Sequence, residues 1–241
     1  MKNKKTIYHF VIDQSGSMSG SEGQTIEGFN SQLKTLQQLK SENPDNEYVV
    51  SVSYFEDEVT DIVKFEAIEQ IQMLSRENYK PGGLTALYDG IGQSIDAIRE
   101  KYNSEIKQDL ASVVMVILTD GGENASKLFK QFQIAEMIEE LDKTGKWTFS
   151  FLGADLDATQ ASGSLNIHPE NIISFSKENF AGMMHQMSSS IKRYDDLKSE
   201  GKFTSMLFDD IEEKDQRIEV PKITEAPKKK SILGYLFKKR I

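Results

Sequence analysis

Hydrophobic positions along the chain follow two alternating rhythms. The first is a near-continuous apolar run, Ile7-Tyr8-His9-Phe10-Val11-Ile12, the pattern of a strand buried on both faces. The second begins at Ile26, where Phe29, Leu33, Leu36 and Leu39 recur at helical spacing until Asn43-Pro44 stops them. Residues 48–55 predict another strand. The acidic turn Glu56-Asp57-Glu58, read as solvated, leads into 59–65, where polar and apolar residues alternate as in a half-solvated edge strand of a hairpin. After Pro81-Gly82-Gly83-Leu84-Thr85, a helix with Thr85 at its N-cap presents Leu87, Ile91, Ile95, Ile98 and Tyr102 on one face.

Residues 113–118 then repeat the opening run and end in Thr119-Asp120-Gly121-Gly122. Leu128, Phe132, Ala135, Ile138 and Leu141 predict a helix that closes near Gly145. Strands follow at 147–152 and 171–175, with a turn or short helix at 153–163 between them. A helix over 177–197 buries Phe180, Met184, Met187, Ile191 and Tyr194, its methionines read as core filler. Strands alternating with helices, plus one hairpin, predict an α/β fold: a doubly wound, Rossmann-like, mostly parallel sheet with one antiparallel edge strand. The periodicity fails after residue 200. The expected organisation is one domain over 1–200, an acidic, proline-containing linker over 201–227, and a basic amphipathic segment over 228–241.

Charge sharpens that division. The chain of 241 residues carries a net charge of -9, yet residues 221–241 hold seven Lys/Arg against one Glu. The acidic main body argues against a nucleic-acid partner, because phosphate contacts require a basic surface. No cysteine is present, which removes thiolate metal sites and thiol nucleophiles. The lysines near the start precede an apolar run that stops at Asp13, too short for a signal peptide. The expectation is a cytoplasmic protein.

The candidate chemistry gathers where the buried strands end. Asp13-Gln14-Ser15-Gly16-Ser17, Thr85 and Asp120 bring only oxygen donors to the carboxyl edge of the sheet, where open α/β folds bind ligands. No histidine accompanies them. Hard cations suit such a set, Mg²⁺ foremost, with Ca²⁺ or Mn²⁺ as alternatives. Two acids leave a divalent ion able to accept one more anionic oxygen, and a partner's Asp or Glu carboxylate is the natural group. Nearby, Asp89 is read either as orienting Thr85 from behind or as an ordinary first-turn acid. Glu123 is read either as gating or occupying the metal or as a helix-start carboxylate.

These residues resemble the von Willebrand factor A domain and its metal-ion-dependent adhesion site, over roughly residues 4–199. Asp13-Gln14-Ser15-Gly16-Ser17 matches the D-x-S-x-S of that site, Thr85 its loop threonine, and Asp120 the aspartate after a central strand. The closest resemblance is to stand-alone bacterial and phage-type members. It implies that Ser15, Ser17 and Thr85 contact Mg²⁺ directly, that Asp13 and Asp120 bind largely through water, and that a partner protein supplies an acidic side chain.

An enzyme is the competing class. A Mg²⁺-dependent phosphoesterase of the haloacid dehalogenase type needs a second acid two residues beyond the nucleophile, where this chain has Ser15. No G-x-x-x-x-G-K-[ST] is present. His168 and His185 lack the context of a serine hydrolase. The basic segment adds a third class, a tether. As a helix it groups Ile232, Leu233, Leu236 and Phe237 on one face, with Lys238 and Lys239 among the flanking charges. Such a segment suits a partner's groove or a second copy of the chain, an anionic membrane, or the chain's own acidic body, with an idle tail as the remaining reading.

Overall fold

The longest apolar runs lie innermost, because only a strand covered on both faces can be apolar at every position. In the computed structural model, which describes residues 5–120, 122–153, 163–174, 180–199 and Leu207, these runs become the middle of one sheet. The elements are β1 (Lys5–Asp13), α1 (Glu22–Glu42), β2 (Glu47–Phe55), β3 (Val59–Ala67), α2 (Leu87–Lys107), β4 (Ala111–Thr119), α3 (Gln131–Asp142), β5 (Trp147–Gly153), β6 (Ile172–Ser174) and α4 (Phe180–Ser199). The six strands order as β3-β2-β1-β4-β5-β6. All neighbours are parallel except β2 and β3.

β1 alternates between two cores. Tyr8, Phe10 and Ile12 pack into a layer with Phe29, Leu33 and Leu36 of α1 and with Met187, Ile191 and Tyr194 of α4. Ile7 and Val11 face the opposite layer, with Ile91, Ile95 and Ile98 of α2 and Ile134 and Ile138 of α3. Each such side chain removed from water contributes about 1.5–3 kcal/mol. His9 is buried as a core histidine, its Nε2 3.3 Å from Ser53 Oγ. Burial lowers its pKa to about 4, so the ring is neutral at pH 7.

The edge strand β3 is irregular. Its register with β2 shifts between Val50 and Val52. Phe65 takes φ 54°, a left-handed conformation that is rare for an aromatic residue. The Phe65 ring is held edge-on to Tyr102 at 5.3 Å, with Lys101 Nζ 4.8 Å from its centroid.

Three expectations differ from the structure in instructive ways. The helix predicted through Leu128 starts only at Gln131, and Leu128 and Phe132 are 65% and 69% exposed. Their spacing mimicked a helical face, but side-chain acceptors elsewhere hold residues 127–129 by their backbone N–H groups instead. Thr85 is not the cap of α2, which is Ala86. Leu207, inside the stretch read as a linker, is 1% exposed in the α1/α4 layer and donates its backbone N–H to Asn171 Oδ1 at 2.6 Å. The side chains of Phe180 and Met184 and the whole of 228–241, with Ile232, Leu233, Leu236, Phe237, Lys238 and Lys239, lie outside the described residues. Among the described residues no helix is long and apolar enough to cross a membrane.

Candidate metal centre

The strand order places a crevice at the carboxyl ends of β1 and β4. From β1 the chain proceeds outward to β2 and β3; β4 returns to the other side of β1, and the chain then proceeds to β5. Loops leaving the two strands part in opposite directions, and the gap between them is where doubly wound sheets bind ligands. Asp13 is the last residue of β1, and Asp120 follows the last residue of β4.

Asp13 is 0% exposed and fully fixed. Its Oδ1 accepts the Ser15 backbone N–H at 2.8 Å, and its Oδ2 accepts the Thr119 hydroxyl at 2.6 Å. Its carbonyl accepts the Tyr79 hydroxyl at 2.6 Å. Burial raises the Asp13 carboxyl to about 6; the nearby Asp120 charge adds to the rise, and the Thr119 and Ser15 hydrogen bonds oppose it. Ser15 and Ser17 bring their hydroxyl oxygens to 3.0 Å of each other.

The loop that carries Thr85 is zipped onto the Asp13 loop. The Gly82 N–H bonds to Gln14 O at 2.8 Å, and the Gly16 N–H bonds to Gly83 O at 3.1 Å. Gly83 has φ +71°, and a Cβ there would come within 2.9 Å of Asp57 Oδ2, so only glycine fits. The turn read as merely solvated therefore braces this loop, with Asp57 Oδ1 also accepting the Leu84 N–H at 3.3 Å. Asn124 clasps Thr85 from the other side. Its Oδ1 accepts the Thr85 N–H at 2.8 Å, while its own N–H donates to Thr85 O at 2.9 Å.

These clasps bring Thr85 and Asp120 together. A Cβ built on Gly122 would stand 3.6 Å from Thr85 Oγ1 and 3.7 Å from Asp120 Oδ1. Thus Asp13, Ser15, Ser17, Thr85 and Asp120, from distant parts of the chain, converge on one crevice. Among the described residues, no Lys, Arg or His pairs with Asp13 or Asp120. Two neighbouring carboxylates without a counter-charge, surrounded by hydroxyls, fit a hard divalent cation.

Asp89 and Glu123 are differently employed. Asp89 Oδ2 accepts the Lys127 N–H at 2.8 Å, and its Oδ1 accepts the Leu128 and Phe129 N–H groups at 3.0 and 2.8 Å. This draws the loop after β4 onto α2, where the Phe129 ring lies so near Gly92 that a Cβ would approach it to 2.5 Å. Glu123 Oε2 accepts the Tyr88 N–H in the first turn of α2 at 3.0 Å, and its Oε1 accepts the Ala125 and Ser126 N–H groups. It is a helix-start carboxylate, but for α2 rather than for the helix that follows it in sequence. Sequence reasoning missed Tyr79, Thr119 and Asn124. Only Thr119, adjoining Asp120, carried a local signal.

Comparison with known proteins adds a family and a set of folds. The model of the von Willebrand factor type A domain matches residues 9–190. The structure is similar to the pilus adhesin SpaC from Lactobacillus rhamnosus GG in an open conformation, with TM-score 0.59, 13% identity and coverage of 78% of this chain and 30% of that one. It is also similar to a von Willebrand factor type A protein from Catenulispora acidiphila, with TM-score 0.50, 14% identity and coverage of 78% and 42%. A slighter likeness, TM-score 0.48 at 16% identity over 78% and 46% of the two chains, is to proximal thread matrix protein 1 from the mussel byssus with zinc in its MIDAS motif. This chain spans less than half the length of each, and at these identities the likeness concerns the fold alone. No curated protein matches it in sequence.

Proposed function

This chain belongs to the von Willebrand factor type A domain family, and we propose that it is a cytoplasmic adaptor that captures a partner protein through a divalent cation, Mg²⁺ by preference. Domains of this family are mostly interaction modules. The observation that carries the reading is the convergence of five oxygen-bearing residues on the switch-point crevice, where Asp13 and Asp120 lack a cationic neighbour among the described residues. Ser15, Ser17 and Thr85 would hold the ion through their hydroxyls, and Asp13 and Asp120 would supply the charge. The bound ion would contribute Lewis-acid attraction for an anionic oxygen. With only two formal negative charges around it, that attraction is left over for the partner's Asp or Glu carboxylate.

A phosphoesterase is less well supported. The residue two beyond Asp13 is Ser15, whose hydroxyl lies against Ser17 rather than standing in for a general acid.

The test compares capture of a partner in Mg²⁺ and in chelator, with wild type and with Asp13→Ala, Thr85→Ala and Asp120→Ala, folding being checked by circular dichroism. We expect Mg²⁺-dependent capture by the wild type and at least a tenfold loss in each variant. Undiminished capture by all three would overturn the proposal. Titration with Mg²⁺, Mn²⁺, Ca²⁺ and Zn²⁺, read by calorimetry, ranks the ions.

A further inference from the structure

The β3 edge of the sheet contains a second feature, lined by none of the five residues of the metal crevice. Between β3 and the segment that follows it, the surface opens into a cavity of about 230 Å³, with Phe29, Val52, Val63, Ile71 and Leu74 on its walls and Glu66 at its rim. Ile62, another lining residue, is 48% exposed, and Met73 in the same following segment is 42% exposed. Clustered exposed apolar side chains of this kind mark binding surfaces. Two acids belong to these surroundings, Glu66 in the cavity lining and Glu69 in the segment that follows β3. Lys64 pairs with Asp61 and Lys40 with Glu69, whereas Glu66 has no ion pair among the described residues.

We propose that this groove is the docking site of the chain's own segment 228–241, its apolar residues entering the cavity and its lysines facing Glu66 and Glu69. The segment has the complementary chemistry. Six Lys/Arg and no acid flank Ile232, Leu233, Leu236 and Phe237, which share one face if the segment is helical. It also has the reach. Leu207 is held at Asn171, beside β6, and β3 is the opposite edge of the sheet. Five strand spacings amount to about 24 Å. The roughly 25 residues from Leu207 to Ile232 have a root-mean-square span of about 25–30 Å if flexible. A linker matched to its span gives an effective concentration in the millimolar range, so even a weak contact is well populated.

The other occupants are less well matched. A single short amphipathic segment without a lipid anchor binds bilayers marginally. A second copy would have to compete with the tethered segment at micromolar protein concentrations. The docking does not involve the metal crevice, so its test is independent of the adaptor reading.

The absence of native cysteine makes that test clean. Ile62→Cys is combined with Leu236→Cys in the full chain and oxidised mildly at high dilution. The reference pair is Phe132→Cys with Leu236→Cys, Phe132 being exposed on α3 of the opposite layer. We expect the first pair to form an intrachain disulfide at least fivefold faster than the reference, and Glu66→Lys or high salt to reduce that preference severalfold. Equal rates for the two pairs would overturn the proposal. So would disulfides predominantly between chains, which would assign the groove to a second copy. Loss of the preference on adding dilute phosphatidylglycerol vesicles, with the protein sedimenting alongside them, would also overturn it, in favour of a membrane.

Discussion

Two pairs of carboxylates stand within the same set of loops and have opposite fates. Asp89 and Glu123 accept backbone N–H groups until their oxygens are occupied. Asp13 and Asp120 sit over the crevice with a repulsive like-charge neighbour instead. The first pair stiffens the loops; the second keeps capacity for something external. What separates them is the supply of donors. Asp89 and Glu123 each accept three N–H groups, from residues 125–129 and the first turn of α2. Asp13 accepts one N–H and one hydroxyl, and Asp120 a single long contact from the Gly122 N–H at 3.4 Å. An acid's role is therefore set by the hydrogen bonds its surroundings leave unmade.

The largest expected effect tests what burial does to Asp13. Its folded pKa of about 6 lies above the ordinary 3.8, so the metal-free native state binds the proton first and gains stability as pH falls through that window. His9 works the other way: with a folded pKa of about 4 against 6.5, the unfolded chain protonates first and stability is lost over nearly the same range. Each contributes about 3 kcal/mol, and in wild type they nearly cancel. Asp13→Asn removes one side of the balance. Relative to wild type in chelator, its urea-unfolding free energy should fall by about 3 kcal/mol more between pH 6.5 and pH 3. Parallel pH profiles would show that Asp13 is not titrating as its burial implies.

Removing a bracing acid comes next. Asp89→Ala leaves the three N–H groups of Lys127, Leu128 and Phe129 without their acceptor. It should cost about 2–3 kcal/mol of unfolding free energy at neutral pH, with Asp120→Ala within about 0.5 kcal/mol of wild type. Equal costs for the two would erase the distinction between the pairs. The smallest stability effect is expected at Thr85, whose loop is held through its backbone. Thr85→Ala should shift unfolding by no more than about 0.5 kcal/mol while Mg²⁺-dependent capture is lost. A large loss of stability would mean that its hydroxyl braces the fold.

The mostly parallel sheet with its one antiparallel edge strand and the oxygen-bearing residues at the strand ends were legible because each announces itself locally. A doubly buried strand has to be apolar throughout, and an aspartate that ends it has to lie at the sheet's edge. The supports were not legible. Tyr79 reaches Asp13 across 66 residues and Asn124 reaches Thr85 across 39, and no local pattern reports such distant partners. Asp89 and Glu123 were identifiable as acids near the site, but their employment depended on which backbone groups tertiary packing delivered. Leu128 misled for the same reason: its spacing was helical, yet Asp89 holds residues 127–129 as a loop, while Phe132 does lie on α3 but on its exposed face.

The irregular β3 has a consequence for solubility. A straight outermost strand offers its free backbone groups to any similar strand, and sheets that grow this way end as fibrils. With the Phe65 backbone turned into the left-handed region and the pairing out of step near Val50, that template is bent. On this side of the sheet a neighbouring strand would meet a crooked, charged border, which disfavours extension by simple stacking.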